Sequence, residues 1–141
     1  ALHTLSGEPA SLLMLDMDNF KNANDKFGHD VGDAALRTVG DCLARVFLRR
    51  CDLVCRFGGD EFAVLLSETS SAKAATLGER VASAVHEAHI PDRAATLSLS
   101  LSIGVAELAR GDSALTWVQR ADAALYAAKQ AGGGRVHIAA R

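Results

Sequence analysis

Two apolar runs on either side of an adjacent glycine pair restrict the folds open to this chain more than any other feature of its sequence. Residues 53–55 precede Gly58 and Gly59, and residues 62–66 follow them. This spacing predicts two antiparallel strands joined by a tight turn. Because glycine carries no side chain, another molecule could approach the backbone of the turn closely.

Two carboxylates, Asp60 and Glu61, directly follow the glycines. Since successive residues of an extended chain point to opposite sides, these acids would flank the turn. A hairpin with a solvated acidic tip would have the same local pattern. Asp16 favours a site instead, because it ends an apolar run at residues 11–15 that is typical of a buried central strand.

The rest of the chain alternates helical and strand-like patterns. Apolar residues at three- and four-residue spacing predict three helices, and alternation with serines predicts a strand that ends at Gly104. A short strand at residues 136–138 completes the order β-α-β-β-α-β-α-β, which is typical of an α+β domain with a central mixed sheet of about five strands covered by helices. The helical positions are Leu36, Val39, Leu43, Val46 and Phe47, then Ala74, Leu77, Val81, Ala84, Val85 and Ala88 before Pro91, then Leu115, Val118, Ala121, Leu125 and Ala128; the alternating ones are Leu97, Leu99, Leu101 and Ile103.

Composition argues against several functions. A formal net charge of −2 and a pI near 6.2 provide no basic surface for polymeric nucleic acid or an anionic membrane. At 141 residues the chain predicts a single domain, and its short apolar runs predict no transmembrane span.

The three cysteines, Cys42, Cys51 and Cys55, are odd in number and lack a CxxC spacing, so we expect reduced thiols in the core and a cytoplasmic location.

The acids Asp16, Asp60 and Glu61 have no adjacent Lys or Arg and suggest a cation site. Their hard oxygen ligands would suit Mg²⁺ or Mn²⁺, which also bind substrate phosphates. This is the outline of two-metal phosphoryl transfer, in which one ion activates an attacking hydroxyl and another offsets charge on the leaving phosphate. A carboxylate would accept the proton.

The polar segment 20–33, with two glycines, is predicted as a loop that holds a ligand. Backbone amides near Phe20 and the ammonium of Lys21 could bind phosphates. Asp33 and Asn24 have the chemistry to select guanine over adenine, because only guanine offers the N1–H and N2–H₂ edge. The alternative makes Asp33 a helix N-cap and Asn24 a turn residue.

The chain closely resembles the GGDEF family of diguanylate cyclases in four ordered segments, DMDNFKNANDKFGHDVGDAAL, RRCDLVCRFGGDEFAVLL, LSIGVAE and ADAALYAAK, between residues 11 and 136. The resemblance implies a fold like that of nucleotidyl cyclases and polymerase palms. It also implies Mg²⁺-dependent (or Mn²⁺-dependent) condensation of two GTP molecules into cyclic di-GMP with release of pyrophosphate. Two domains, each with one GTP and two metal ions, would face each other as a homodimer.

The resemblance also implies roles for individual residues. Asp16, the Met17 carbonyl, Asp60 and Glu61 would bind metal, and Asp60 would also accept the proton. Lys21 would stabilise charge on the phosphates in the transition state, and Lys129 would reach the terminal phosphates. The full set of implied substrate contacts is Phe20, Lys21, Asn24, His29, Asp33, Gly58, Gly59 and Lys129.

An inhibitory site is implied by the RxxD pattern of Arg49 and Asp52, with five residues between Asp52 and Gly58. Product cyclic di-GMP would bind there, and Arg80 would be an additional contact. The alternative for Arg49 and Asp52 is a solvated helix end that contributes little stability.

The sequence departs from the family pattern at three places. The family's DxLT and NR motifs do not precede the first strand, so we expect a single domain over residues 1–141 without them and without a sensor domain. Gly133 stands where the family has a phosphate-binding Arg, for which Arg135 could substitute, and Ala23 replaces a larger apolar residue.

Two other functions remain open on the sequence alone. A catalytically weak or silent domain could act as a receptor for cyclic di-GMP or GTP, although silent members usually lack the acids that this chain retains. A cyclase for another purine nucleotide would need a residue other than Asp at position 33, because that carboxylate disfavours adenine.

Overall fold

The computed structural model describes residues 7–56, 58–88, 90 and 98–140. Five strands and four helices are found in them. The α+β class with a mixed sheet is confirmed. The elements in chain order are β1 (Ala10–Met17), α1 (Phe20–Phe27), α2 (His29–Val46), β2 (Leu53–Arg56), β3 (Glu61–Ser67), α3 (Ser71–Glu87), β4 (Leu101–Glu107), α4 (Ala114–Gln130) and β5 (Val136–Ile138).

The sheet has the strand order β2-β3-β1-β4-β5, with β1 at its centre. The pairs β1–β3, β1–β4 and β2–β3 are antiparallel, and β4–β5 is parallel. The predicted hairpin is therefore present as β2 and β3, although Phe57 in its turn lies outside the described residues. Because β1 is central, residues at its end can meet groups from both neighbouring strands.

Side chains of β1 fill two cores, one on each face of the sheet. Leu13 and Leu15 are fully buried in the larger core, which α2 and α3 cover. Leu12 and Met14 lie in the smaller core beneath α4. Burial on both faces explains why β1 reads as a continuous apolar run.

The polar segment after β1 is mostly helical, so its prediction as a loop is wrong. Phe20 and Phe27 bracket α1 and pack against the larger core, which fixes this otherwise polar helix. Gly28, at φ 93°, separates it from α2. Since α2 begins at His29, Asp33 lies inside the helix, and the N-cap alternative for Asp33 is wrong as well.

Gly104 lies in the middle of β4, so the prediction that it ends the strand is wrong. A Cβ atom at this position would lie 2.2 Å from the Leu125 amide nitrogen and 2.3 Å from the Ala121 carbonyl oxygen. The glycine therefore lets α4 pack directly on the sheet. Leu97, predicted as the first residue of this strand, lies outside the described residues.

The core face of α4 differs from the predicted one. Leu115 and Val118 are exposed, whereas small alanines approach the sheet. Close packing against Gly104 favours small side chains over the larger ones. The helix begins at a capping box formed by Ser113 and Thr116. The buried residues of α4 are Ala121, Ala124, Leu125 and Ala128.

All three cysteines are free, but only Cys42 is in the core. Cys51 and Cys55 are exposed, so the expectation of core thiols is wrong for both. They lie beside and within β2, whose four residues are exposed at the sheet edge.

Pro91 lies outside the described residues, and α3 ends at Glu87. Among the helices that the structure describes, none has both the length and the apolar character needed to cross a bilayer.

Candidate active site

The acidic end of β1 meets the start of β3. Asp16 lies opposite Glu61 in the antiparallel ladder. Because residues paired in this way point to the same face of a sheet, their carboxylates share one face. Asp60 joins them from the turn: its carbonyl accepts a 3.3 Å hydrogen bond from the Met17 amide, and its side chain is in hydrogen-bonding contact with Asp16.

The surroundings of Asp16 favour its protonated form. Burial, hydrogen-bonding contact with Asp60 and repulsion by the charges of Asp60 and Glu61 raise the pKa of Asp16 to about 7, although the Lys129 ammonium opposes this shift. The Asp16 Oδ1 atom is buried and has no hydrogen-bond partner. This oxygen is therefore left without a donor from the described part of the protein.

These donors fit a hard divalent cation. Mg²⁺ typically uses one or two protein carboxylates and completes its shell with water and substrate phosphates. Asp16 offers an unpartnered oxygen, Asp60 a second carboxylate in contact with it, and Met17 a main-chain carbonyl. Within the described residues no group of three or more acids, histidines or cysteines is arranged as a metal site, so a bound ion would need further ligands from water or substrate.

Lys129, near the end of α4, extends its ammonium into this cluster. The Nζ atom donates to Asp18 Oδ1 at 3.1 Å and to the Met17 carbonyl at 3.3 Å, and it lies 3.5 Å from Asp16 Oδ2. The residue expected to reach the phosphates thus lies beside the expected metal ligands. Its charge partly compensates the acids.

Asp18 is a residue of the site that sequence reasoning missed. Its carboxylate accepts hydrogen bonds at 2.6 Å from the hydroxyls of Ser100 and Ser102 and at 2.8 Å from the Gly134 amide. Burial opposes ionisation of Asp18, but these bonds and the Lys129 ammonium outweigh it and lower the pKa of the carboxyl group. The available signal was its place two residues after Asp16.

The predicted guanine contacts lie where α1 meets α2. Asn24, on α1, packs so closely against Gly32 that a Cβ atom there would lie 1.7 Å from Asn24 Oδ1. This oxygen is buried and has no hydrogen-bond partner. Asp33 follows Gly32 on α2 and is exposed, as is His29 at the start of that helix.

The remaining predicted phosphate contacts lie on α1 and in the hairpin turn. Lys21 is exposed on the first turn of α1, and Phe20 beside it is partly buried. Gly58 has φ 73°, a left-handed conformation that suits glycine, and the Gly59 carbonyl accepts a 2.9 Å bond from Arg56. The turn is thus held in place while both glycines stay exposed.

Comparison with known proteins identifies the family. A family model described as "Diguanylate cyclase, GGDEF domain" matches residues 1–135. The chain belongs to the GGDEF family. It is 42% identical over 132 residues to the probable diguanylate cyclase DgcC of Escherichia coli K12, a match that covers 93% of this chain and 35% of DgcC. The chain thus spans about a third of that relative's length.

Two solved GGDEF-family structures are similar in fold. The active GGEEF domain of a diguanylate cyclase from Vibrio cholerae has a TM-score of 0.91 and 31% identity, over 99% of this chain and 88% of that one. The GGDEF domain of DgcB from Caulobacter crescentus, solved in complex with c-di-GMP, has a TM-score of 0.90 and 33% identity, over 97% of this chain and 81% of that one. These likenesses confirm the palm-like fold class.

A glycine turn follows Lys129 in this GGDEF domain. Gly133 adopts φ 75°, and a Cβ atom there would lie 2.9 Å from Asp18 Oδ2. The Arg135 guanidinium folds back on this turn, and its Nε donates to the Gly133 carbonyl at 3.1 Å. Arg135, expected as a substitute phosphate ligand, is therefore engaged by the turn itself.

The two RxxD residues of this GGDEF domain bind each other. Arg49 Nε donates to Asp52 Oδ1 at 2.9 Å, and its Nη2 donates to the Ser67 carbonyl and the Thr69 hydroxyl, both at 2.9 Å. Hydrogen bonding to Asp52 raises the pKa of Arg49 above its usual value. Arg80 is exposed on α3. The pair is thus an ordered feature that joins the start of β2 to the end of β3.

Proposed function

We propose that this domain is a diguanylate cyclase that condenses two GTP molecules into cyclic di-GMP. Because pyrophosphate leaves, a ribose hydroxyl of each GTP attacks the α-phosphorus of the other, and two P–O bonds form as two break. The observation that carries the proposal is the meeting of Asp16, Asp60 and Glu61 at one edge of the sheet in a chain of this family.

Each residue of the acidic cluster has a role in the proposed reaction. Asp16, Glu61 and the Met17 carbonyl would hold Mg²⁺ or Mn²⁺, and Asp60 would add a ligand and accept the hydroxyl proton. A bound divalent cation would offset charge on the phosphates. Lys129, whose ammonium lies 3.5 Å from Asp16 Oδ2, would offset charge on the triphosphate.

Selection of guanine would come from the junction of α1 and α2. The buried, unpartnered Asn24 Oδ1 and the exposed Asp33 carboxylate supply acceptors for the N–H groups of a guanine edge. Adenine presents an acceptor at N1, which would face an acceptor of the protein. Leaving such groups unpaired is costly, so we expect ATP to be a poor substrate.

The reaction needs two domains, because each would bind one GTP and present half of the product. Orientation of the two bound nucleotides would supply much of the rate acceleration. We therefore expect specific activity to rise with protein concentration until the homodimer is saturated.

Detection of product tests the activity. The protein at high concentration is incubated with GTP and Mg²⁺, and cyclic di-GMP is measured by mass, with ATP in a parallel reaction. Asp60→Asn should lose at least a hundredfold in rate, whereas Asp41→Asn, an exposed acid on α2, should match the parent. Absence of product from the parent would overturn the proposal, and equal use of ATP would overturn the role of Asp33.

Feedback inhibition would act at Arg49 and Asp52. Cyclic di-GMP would have to compete for the guanidinium that now binds Asp52 and the β3 end. Calorimetric titration of Arg49→Ala should show cyclic di-GMP binding weakened at least tenfold, with Arg37→Ala, exposed on α2, as the control. Unchanged binding and unchanged inhibition in a folded Arg49→Ala protein would place the inhibitory site elsewhere.

A receptor function is the second candidate, and Gly133 in place of the family's phosphate-binding Arg favours it. Such a domain would bind cyclic di-GMP or GTP without turnover. The product assay and the same titration on the parent together decide between the two functions, since tight binding without product formation supports the receptor.

A further inference from the structure

Asp18 uses both of its carboxylate oxygens inside the protein. Oδ1 accepts from the Ser102 hydroxyl at 2.6 Å and from Lys129 at 3.1 Å. Oδ2 accepts from the Ser100 hydroxyl at 2.6 Å and from the Gly134 amide at 2.8 Å. With two donors on each oxygen, Asp18 cannot ligate a cation unless it gives up at least one of these bonds.

The turn at residues 132–134 is shaped around this carboxylate. All three glycines have positive φ, at 119°, 75° and 62°. A side chain on Gly133 would begin within 3.1 Å of both Asp18 oxygens, so the carboxylate lies against the bare Cα of the turn. The turn therefore closes on Asp18 because position 133 has no side chain.

The four donors come from two parts of the fold. Ser100 and Ser102 belong to β4 and the residues before it, whereas Lys129 and Gly134 lie at the end of α4 and in the turn that follows. Asp18 itself continues from β1. Through its carboxylate, Asp18 thus connects the end of β1 with β4 and with the end of α4.

The contact with Asp18, at 3.1 Å, is also the shortest of the three that the Lys129 ammonium makes with Asp18, Met17 and Asp16. The other two contacts of Nζ, to the Met17 carbonyl and Asp16, involve groups that the proposed function assigns to cation binding. A cation at those groups would repel the ammonium and compete for the same oxygens. The contact with Asp18 would remain.

We propose that Asp18 is a positioning residue that anchors Lys129 and the glycine turn beside the acidic cluster. The Lys129 ammonium then stays where it can contact the GTP phosphates and does not turn out into solvent. The function of this anchor rests on the proposed cyclase activity. The anchor itself is a property of the protein without nucleotide, and it can be measured separately.

Acylation of lysines in the absence of nucleotide tests the anchor. The protein is treated with limiting acetic anhydride at pH 8, and the modified fraction of Lys129 is measured by mass spectrometry relative to the exposed Lys73 in the same molecule. Asp18→Asn should raise the relative reactivity of Lys129 at least threefold, and Ser102→Ala, which removes one donor to Asp18, by a smaller factor. Asp41→Asn should leave it unchanged.

Kinetics test what the anchor does. Asp18→Asn and Lys129→Met should each raise the KM for GTP about tenfold with a smaller change in kcat, because both remove the same phosphate contact. The double variant should be no worse than Lys129→Met alone. Additive effects, or a changed dependence of rate on Mg²⁺ concentration in Asp18→Asn alone, would show that Asp18 acts on the metal and would overturn the proposal.

Failure of the anchor and failure of the cyclase function give different results. Unchanged Lys129 reactivity in folded Asp18→Asn and Ser102→Ala proteins overturns the anchor, whatever the activity. A parent that makes no cyclic di-GMP overturns the proposed function, while the reactivity ratio still decides whether Asp18 holds Lys129.

Discussion

Asp16 and Asp60 bring their carboxyl groups into hydrogen-bonding contact at the end of the central strand. Two acids so close, one of them half-buried, destabilise the ionised form of the site unless a cation lies between them. The fold thus maintains an arrangement that is unfavourable for the protein alone. Such arrangements are concentrated at functional sites.

A divalent cation should therefore stabilise the folded protein without any nucleotide. We expect millimolar Mg²⁺ or Mn²⁺ to raise the thermal midpoint by about 1–3 °C, because an ion that binds only the native state adds to its stability. Asp16→Asn should abolish this shift and Asp41→Asn should retain it. Scanning fluorimetry with and without each ion measures the effect, and an equal shift in parent and Asp16→Asn would exclude Asp16 as a ligand.

Replacement of Gly133 should be costly because of the Asp18 carboxylate. Gly111 is the matched control: it also has positive φ, at 91°, but nothing lies within 4 Å of a Cβ atom there. Gly111→Ala should cost about 1–2 kcal/mol of unfolding free energy from backbone strain alone. Gly133→Ala should cost about 1–3 kcal/mol more, since its Cβ must displace Asp18. Urea denaturation measures both, and equal losses would show that the turn yields to the added methyl group.

Gly104→Ala should be among the most destabilising single-methyl additions in the chain. Its Cβ would meet backbone atoms of α4, which cannot rotate away as a side chain can, so we expect a loss of about 3 kcal/mol. At Gly40, on α2, nothing lies within 4 Å of a Cβ atom. Gly40→Ala should therefore raise the unfolding free energy by about 0.5–1 kcal/mol through helix propensity. A mild effect at Gly104 would mean that α4 can shift outward, which the buried alanines on its inner face argue against.

The ion pair between Asp112, just before α4, and Arg120, within α4, provides a test of pH dependence. Hydrogen bonds from Arg120, Ala109 and Thr116 lower the pKa of Asp112 to about 2. Because the folded value lies below the usual 3.8, the unfolded chain binds more protons between these values, and the stabilisation is present above about pH 4 and lost as pH falls towards 2. Asp112→Asn should thus cost about 2 kcal/mol at pH 7 and progressively less below pH 4. Urea midpoints between pH 7 and pH 2.5 measure this, and a cost independent of pH would contradict it.

Local patterns predicted most of the fold. The hairpin and the buried β1 were predicted because each is determined by residues close together in the sequence. The helix α1 was not, since its stability comes from Phe20 and Phe27 packing on a core formed by distant elements. The place of Gly104 inside β4 is not predictable from its neighbours for the same reason, because its partner atoms belong to α4, about twenty residues later.

The site was predictable in its chemistry but not in its connections. Asp16, Asp60 and Glu61 could be named as acids at a strand end and the neighbouring turn; the register pairs Asp16 with Glu61, and Asp60 joins them from the turn. The four donors of Asp18 come from β4 with the residues before it and from the end of α4 with the turn that follows, and no local sequence pattern predicts that they meet. The exposure of Cys51 and Cys55 likewise depends on β2 being an edge strand, which is a property of the assembled sheet.

Gly32 should control substrate selection through Asn24. A Cβ atom at position 32 would overlap Asn24 Oδ1, so Gly32→Ala must turn the amide away from its present position. Alanine is the better helix former by about 1 kcal/mol, which should offset the local strain and leave the unfolding free energy nearly unchanged. If Asn24 binds guanine as proposed, the KM for GTP should rise about tenfold or more and the preference for GTP over ATP should fall. Gly40→Ala on the same helix should change neither quantity. Steady-state kinetics with both nucleotides measure this, and an unchanged KM with unchanged preference would show that the Asn24 amide does not contact the base.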